Sequence, residues 1–193
     1  MKTLTAIISL GLFSCGQSIP ADQKVISDSI NKNIKHISGQ TILDNRLKKY
    51  LDTAFSGWTF PAANRWDTAW FNQYKNNGNL VNYVRGDFDC NKEQDYALLF
   101  KKGDGALVTY AFLSADKSFK KFELFDFGKD TNGQIDFGLE LIPPGQINYI
   151  DPESEDAPCV LIKCNAVQVL SFEKGAETFY WEKGKLKSVS TGD

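Results

Sequence analysis

Tyr96-Ala97-Leu98-Leu99-Phe100-Lys101-Lys102-Gly103-Asp104-Gly105-Ala106-Leu107-Val108-Thr109-Tyr110-Ala111-Phe112-Leu113 contains two apolar runs, 96–101 and 106–113, parted by Lys102-Gly103-Asp104-Gly105. Short runs rich in aromatic and aliphatic residues around a glycine turn predict the two strands of a hairpin. The pattern continues on both sides. From Leu80 onward, apolar runs separated by Gly, Asp, Asn and Pro predict further strands at 80–85, 120–125, 137–142, 146–150, 159–163, 167–173, 178–182 and 185–189. Lys174-Gly175 and Lys183-Gly184 read as additional hairpin turns. After Asp87 no spacer suits a crossover helix, the polar 151–158 segment reading as a loop, so the strands are expected to pair antiparallel.

Upstream the period changes. Ile42, Leu43, Leu47, Tyr50, Leu51, Ala54 and Phe55 form a broad apolar face, which predicts a helix over 41–55 with Thr41 as N-cap and Gly57 just beyond its end. Trp66, Ala69, Trp70 and Tyr74 recur at three and four, predicting a shorter helix over 64–74. The polar stretch 18–39 carries Val25, Ile26, Ile30, Ile34 and Ile37 at helical spacing and reads as a tether that is partly helical. The expected class is α+β: N-terminal helices followed by a mainly antiparallel β meander of about eight to ten strands. Residues 40–193 are expected to form one globular domain, with 15–39 as the tether.

The first residues carry a different signal. Lys2 precedes the apolar run 4–13, which ends in Leu12-Phe13-Ser14-Cys15. This run is well short of the roughly twenty residues of a spanning helix. A single basic residue, a short apolar core and a small residue directly before a cysteine resemble a bacterial lipoprotein signal and its lipobox. Phe13 departs from the small residue preferred at that place. The resemblance implies that residues 1–14 are removed, that Cys15 is lipidated with palmitate-type chains, and that several acyl chains anchor the domain firmly. Gly16 follows the cysteine where an aspartate would imply retention at the inner membrane. The expected location is therefore the outer membrane facing the periplasm, with the cell surface as an alternative.

Composition narrows the partners. Lys and Arg total 22 against 24 Asp and Glu, and no basic cluster exceeds Lys120-Lys121. Phosphate backbones need a concentrated basic surface, so nucleic acid is excluded as an expected partner. With Cys15 assigned to lipid, Cys90, Cys159 and Cys164 remain, and an oxidising compartment permits one disulfide among them. Cys159 and Cys164 differ by an odd number of residues, so a regular strand points them to opposite faces; a bridge between them would need the turn to fold back. Independent thiols are the favoured expectation.

Gly86-Asp87-Phe88-Asp89-Cys90-Asn91-Lys92-Glu93-Gln94-Asp95-Tyr96 is the motif with the clearest chemistry. Asp87, Asp89, Asn91 and Asp95 stand at positions one, three, five and nine of a loop opening into an apolar strand. Such spacing can turn several oxygens to one centre, and calcium takes six to eight oxygens. The segment resembles the aspartate-rich loop of FG-GAP and VCBS-type repeats, which implies calcium as cofactor. It departs at position six, where Lys92 replaces the turn glycine, and at Cys90, which also replaces a glycine. These departures favour the alternative of a turn whose carboxylates cap backbone N–H groups. A second loop, 128–136, offers Asp130, Asn132 and Asp136 in the same register and keeps the glycine, Gly133, but has Gly128 in place of the first carboxylate. The tail 167–193, with Ser171-Phe172-Glu173-Lys174, Phe179-Tyr180-Trp181 and Gly184-Lys185-Leu186-Lys187, is similar to a group of small uncharacterised secreted bacterial proteins and implies no activity.

Catalytic patterns are sparse. His36 is the sole histidine, which leaves little for a Ser-His or Cys-His nucleophile. There is no zinc-type His/Cys cluster, phosphate loop or Gly-x-Ser-x-Gly elbow. Glu140 and Glu173 lie in apolar runs and read as outward members of alternating strands. The expected function is a non-enzymatic binding or structural domain on a lipid anchor, with a protein or polysaccharide ligand and calcium as a supporting ion. The alternatives are a periplasmic hydrolase with paired carboxylates and an inhibitor or immunity-type protein.

Overall fold

A computed structural model describes residues 43–69, 81–151, 153, 158–172 and 174–192. All of them fall in one compact unit, Ile37–Asp193. The lipobox, the tether and Thr41 lie outside the described residues.

Among the described residues ten strands form, all paired antiparallel, in two four-stranded sheets and a two-stranded one. Sheet 1 has the order β1 (Tyr83–Gly86), β2 (Asp95–Lys101), β3 (Ala106–Ala115), β4 (Ser118–Lys129). Sheet 2 consists of β10 (Lys185–Gly192), β9 (Gly175–Glu182), β8 (Ala166–Ser171) and β5 (Phe137–Ile142), in that order, and β6 (Gly145–Asn148) pairs with β7 (Cys159–Ile162). The expected α+β class with N-terminal helices is corrected by this arrangement. Among the described residues one α-helix forms, α1 (Asn45–Ala54), and the fold is β-rich.

The start of α1 is set by Asp44, not by Thr41. Its carboxylate accepts the N–H groups of Arg46 at 2.7 Å and Leu47 at 3.2 Å, filling donors that a helix leaves open at its first turn. The helix expected over 64–74 is also overturned in its described part. Ala63–Arg65 is a single 3-10 turn, and Trp66 then runs extended to bridge Ile135 in parallel. The Trp66 indole donates to the Phe137 carbonyl at 2.8 Å, so a tertiary partner takes the residue whose spacing read as helical. Residues 70–74 lie outside the described set.

Alternation along the strands explains the layers. Tyr96, Leu98 and Phe100 of β2, with Val108, Tyr110 and Phe112 of β3, face α1 and pack on Leu47, Leu51 and Phe55. Ala97, Leu99, Leu107, Ala111 and Leu113 face the other way and meet Leu139, Val167, Val169, Phe179 and Trp181 of sheet 2. Sheet 1 is thus covered on both faces, by a helix and by a second sheet. Edge-on aromatic pairs line the helical side, with Phe55 centred 5.0 Å from both Phe100 and Tyr110.

The expected single meander breaks at Pro143-Pro144. β5 pairs with β8, and β6 with β7, so these four strands form one antiparallel ribbon interrupted midway. Prolines have no N–H for the ladder, and opposite them 163–165 leaves the strand conformation as well. The ribbon's tip packs back on sheet 2 through Ile147, Val160 and Ile162 against Ala166 and Tyr180. That interruption places Cys164 and Asn165 beside the β1–β2 loop.

Candidate metal centre

The β1–β2 loop is built around Phe88. Its side chain is fully buried and stacks on Trp181 at 6.0 Å, anchoring the loop in the core between the sheets. Asp87 and Asp89 flank this anchor and stay half-exposed, while Asp95, at the start of β2, is buried. Carboxylate oxygens of Asp87, Asp89 and Asp95 all lie within 4.8 Å of one another. Opposite ligands of one calcium are separated by about 5 Å, so this cluster could hold a metal ion of that size.

Backbone donors fix each carboxylate. Asp95 accepts the Phe88 N–H and the Ser114 N–H, both at 2.8 Å. Asp87 accepts from Asn91 at 3.1 Å and Lys92 at 2.9 Å, and Asp89 accepts from Asn91 at 3.2 Å. A carboxylate oxygen has more than one lone pair, so these bonds orient the groups and leave acceptor capacity toward the centre. Burial pushes the Asp95 carboxyl up to about 6; the two N–H bonds oppose that rise, and the charges of Asp89 and Asp87 add to it.

Both departures from the repeat-type loop sit where the backbone bends. Cys90 has φ 64° and Lys92 has φ 68°, the left-handed conformation that glycine adopts without cost. The turn is therefore made without the glycines. Cys90 is held by a disulfide to Cys164, 74 residues away, which ties the loop to the interruption between β7 and β8. The favoured expectation of independent thiols is thereby corrected: proximity across two sheets decides the pairing, and Cys159 sits exposed at the start of β7. A second clasp runs beside it. Asn165 accepts the Asp87 N–H at 3.1 Å and donates its own N–H to the Asp87 carbonyl at 3.0 Å.

Asn91, the fourth expected ligand, turns its side-chain carbonyl to the Glu93 N–H at 2.6 Å and its amide to the Ser114 carbonyl at 3.3 Å. Its visible role is to shape the loop. The second loop is used differently. Asp130 takes both arms of Arg65, at 2.7 and 2.8 Å, and Lys101 lies 3.6 Å away. The Arg65 hydrogen bonds hold the Asp130 carboxyl down at about 2. Asp136 pairs with Lys174 at 2.6 Å, and Asn132 bends the chain at φ 58°. Asp130 and Asp136 are thus each engaged by a basic side chain.

Ser114, Asn165 and Cys164 belong to the centre although no local motif marks them. Arg46 reaches it as well, donating to the Ser114 hydroxyl at 2.8 Å, and that hydroxyl donates to the Gln94 carbonyl at 2.6 Å. Glu140 is half-buried opposite Gln168, and burial raises its carboxyl above the usual range. Glu173 lies outside the described residues. No family model matches the chain, and no curated protein or solved structure matches it either.

Proposed function

We propose that the protein is a lipoprotein anchored through Cys15, whose β domain is a non-enzymatic binding or structural module steadied by calcium at Asp87, Asp89 and Asp95. The observation carrying this reading is the convergence of three carboxylates within 4.8 Å on a loop clamped by the Cys90–Cys164 disulfide. Carboxylates already fixed by backbone N–H groups suit a resident hard cation, which needs preset oxygens, better than a proton-transfer step, which needs a free one. Calcium supplies charge neutralisation there, and water or bidentate binding completes its shell. The binding partner is a protein or polysaccharide met outside the cytoplasm, where calcium and an intact disulfide are both available.

Thermal melting in calcium and in chelator tests the ion. The wild-type midpoint is expected to rise with calcium, and Asp89→Asn is expected to abolish the rise. An identical midpoint in calcium and chelator would remove the ion from the proposal. Palmitate labelling tests the anchor separately: label on the wild type and none on Cys15→Ala supports it, and equal labelling of both overturns it.

A further inference from the structure

Ser114 lies just beyond the Tyr96–Phe112 pair that ends the ladder between β2 and β3, and it is only 3% exposed. Loop side chains take over there from backbone pairing. The Ser114 N–H donates to the Asp95 carboxylate at 2.8 Å, and its carbonyl accepts the Asn91 amide at 3.3 Å. Its hydroxyl donates to the Gln94 carbonyl at 2.6 Å. The buried polar groups of Ser114 are thus satisfied by the stretch 91–95 of the acidic loop.

The same hydroxyl also serves α1. It accepts the Arg46 guanidinium at 2.8 Å, a charge-assisted bond that holds only while the oxygen stays in place. Arg46 donates as well to the Asp116 carbonyl at 3.2 Å, and its guanidinium lies 4.6 Å from the centre of the Phe119 ring. Its own backbone N–H is the one that Asp44 caps at 2.7 Å. One side chain therefore ties the first turn of α1 to the β3–β4 hairpin, and it does so through a residue whose other bonds belong to the acidic loop.

We infer that Ser114 couples the acidic loop to the first turn of α1, so that a cation which orders the loop also tightens the start of the helix. Three carboxylates within 4.8 Å of one another repel when no cation neutralises them, which favours opening of the loop. Opening strips the Ser114 N–H and carbonyl of their partners in a buried position, and the serine shifts to recover them from water. Arg46 then loses its acceptor. The coupling is reciprocal: cutting the Arg46 bond weakens the cation by the same factor that the cation strengthens the helix start. Calcium as the ordering cation rests on the function proposed above; the junction of Ser114 with loop and helix does not.

Amide hydrogen exchange of the full chain, followed residue by residue by NMR in calcium and in chelator, tests the coupling. Calcium is expected to slow exchange at Arg46, Leu47 and Lys48 about fivefold or more, and to leave amides that open locally along β10 unchanged. Ser114→Ala deletes the hydroxyl but keeps the N–H to Asp95; it should still bind calcium, more weakly, and lose the slowing. Arg46→Met should do the same. Lys48→Met, which removes only the exposed pair with Asp52, should retain the slowing. In chelator, Asn91→Ala should exchange faster than wild type at residues 46–48, with no ion involved. If calcium raises the melting midpoint, unchanged exchange at 46–48 or slowing that survives both Ser114→Ala and Arg46→Met overturns the inference. If calcium leaves the midpoint unchanged, the calcium reading falls by itself and the chelator comparison decides the coupling: faster exchange in Asn91→Ala upholds it, and equal exchange overturns it.

Discussion

Cys90 and Cys164 join the β1–β2 loop of sheet 1 to the break in the ribbon of sheet 2, with Cα atoms 5.4 Å apart and 74 residues between them in the chain. The bond closes a long loop and pins Cys90 at a positive φ in the middle of the acidic motif. It therefore serves both the stability of the fold and the shape of the centre.

Replacing both cysteines by alanine is expected to cost about 2–5 kcal/mol, because the open unfolded chain regains the freedom that the cross-link removes. Urea unfolding of the oxidised wild type and the double variant measures this as a lower midpoint. The reduced wild type should follow the variant. Calcium should raise the midpoint less in both, since the loop at Cys90 is no longer tied.

Asp95 is expected to titrate at about 6 in chelator, against 3.8 for an unperturbed aspartate. Between those values the folded chain holds the proton more tightly than the unfolded one. The contribution of this group to stability is thus full below about pH 3.8 and is lost as pH rises through about 6. Carboxyl ¹³C shifts of labelled aspartate report the midpoint directly. Calcium should move it downward, because a cation favours the carboxylate; a midpoint that ignores calcium would place the ion elsewhere.

Arg65→Ala is expected to destabilise the fold by about 2 kcal/mol, since it leaves the nearly buried Asp130 carboxylate without its bidentate partner. The same variant should leave the calcium response intact. Asp130 is held below its ordinary value, so its contribution is present above about pH 4 and fades as pH falls toward 2. Acid unfolding followed by circular dichroism should therefore occur at higher pH in Arg65→Ala than in the wild type.

Lys92→Gly should tighten calcium binding by about threefold to tenfold, by relieving a left-handed residue and removing a positive charge beside three carboxylates. Isothermal titration measures it. Lys92→Ala separates the two causes: it removes the charge but keeps the strained φ, so its affinity should fall between those of lysine and glycine.

β2 and β3 were legible because their apolar runs stop at the turn Lys102-Gly103-Asp104-Gly105, whereas β4 and β10 run on past theirs to Lys129 and Gly192. Partition into sheets was not, since β5 passes over its sequence neighbours to pair with β8, and only the prolines at 143–144 mark the place. Asp87, Asp89 and Asp95 were identifiable by spacing within one loop. Ser114, Asn165 and Cys164 were not, because they reach the same loop from other strands and leave no periodic trace. Trp66 misled for a related reason: helical spacing describes a local preference, and its bond to the Phe137 carbonyl and the bridge to Ile135 are long-range. Asp130 fits a ligand register equally well until Arg65, 65 residues away, is seen to occupy it.

Burial of β2 on both faces has a bearing on how the molecule comes apart. Leu98 and Phe100 belong to the layer beneath α1, and Ala97 and Leu99 to the layer against sheet 2, yet all four are consecutive on one backbone. Detaching the helix uncovers the strand that sheet 2 rests on, and separating the sheets uncovers the strand that holds the helix. The two hydrophobic layers thus share one fate, and the amides of β2 should be the last to exchange with deuterium, opening only when the whole domain does.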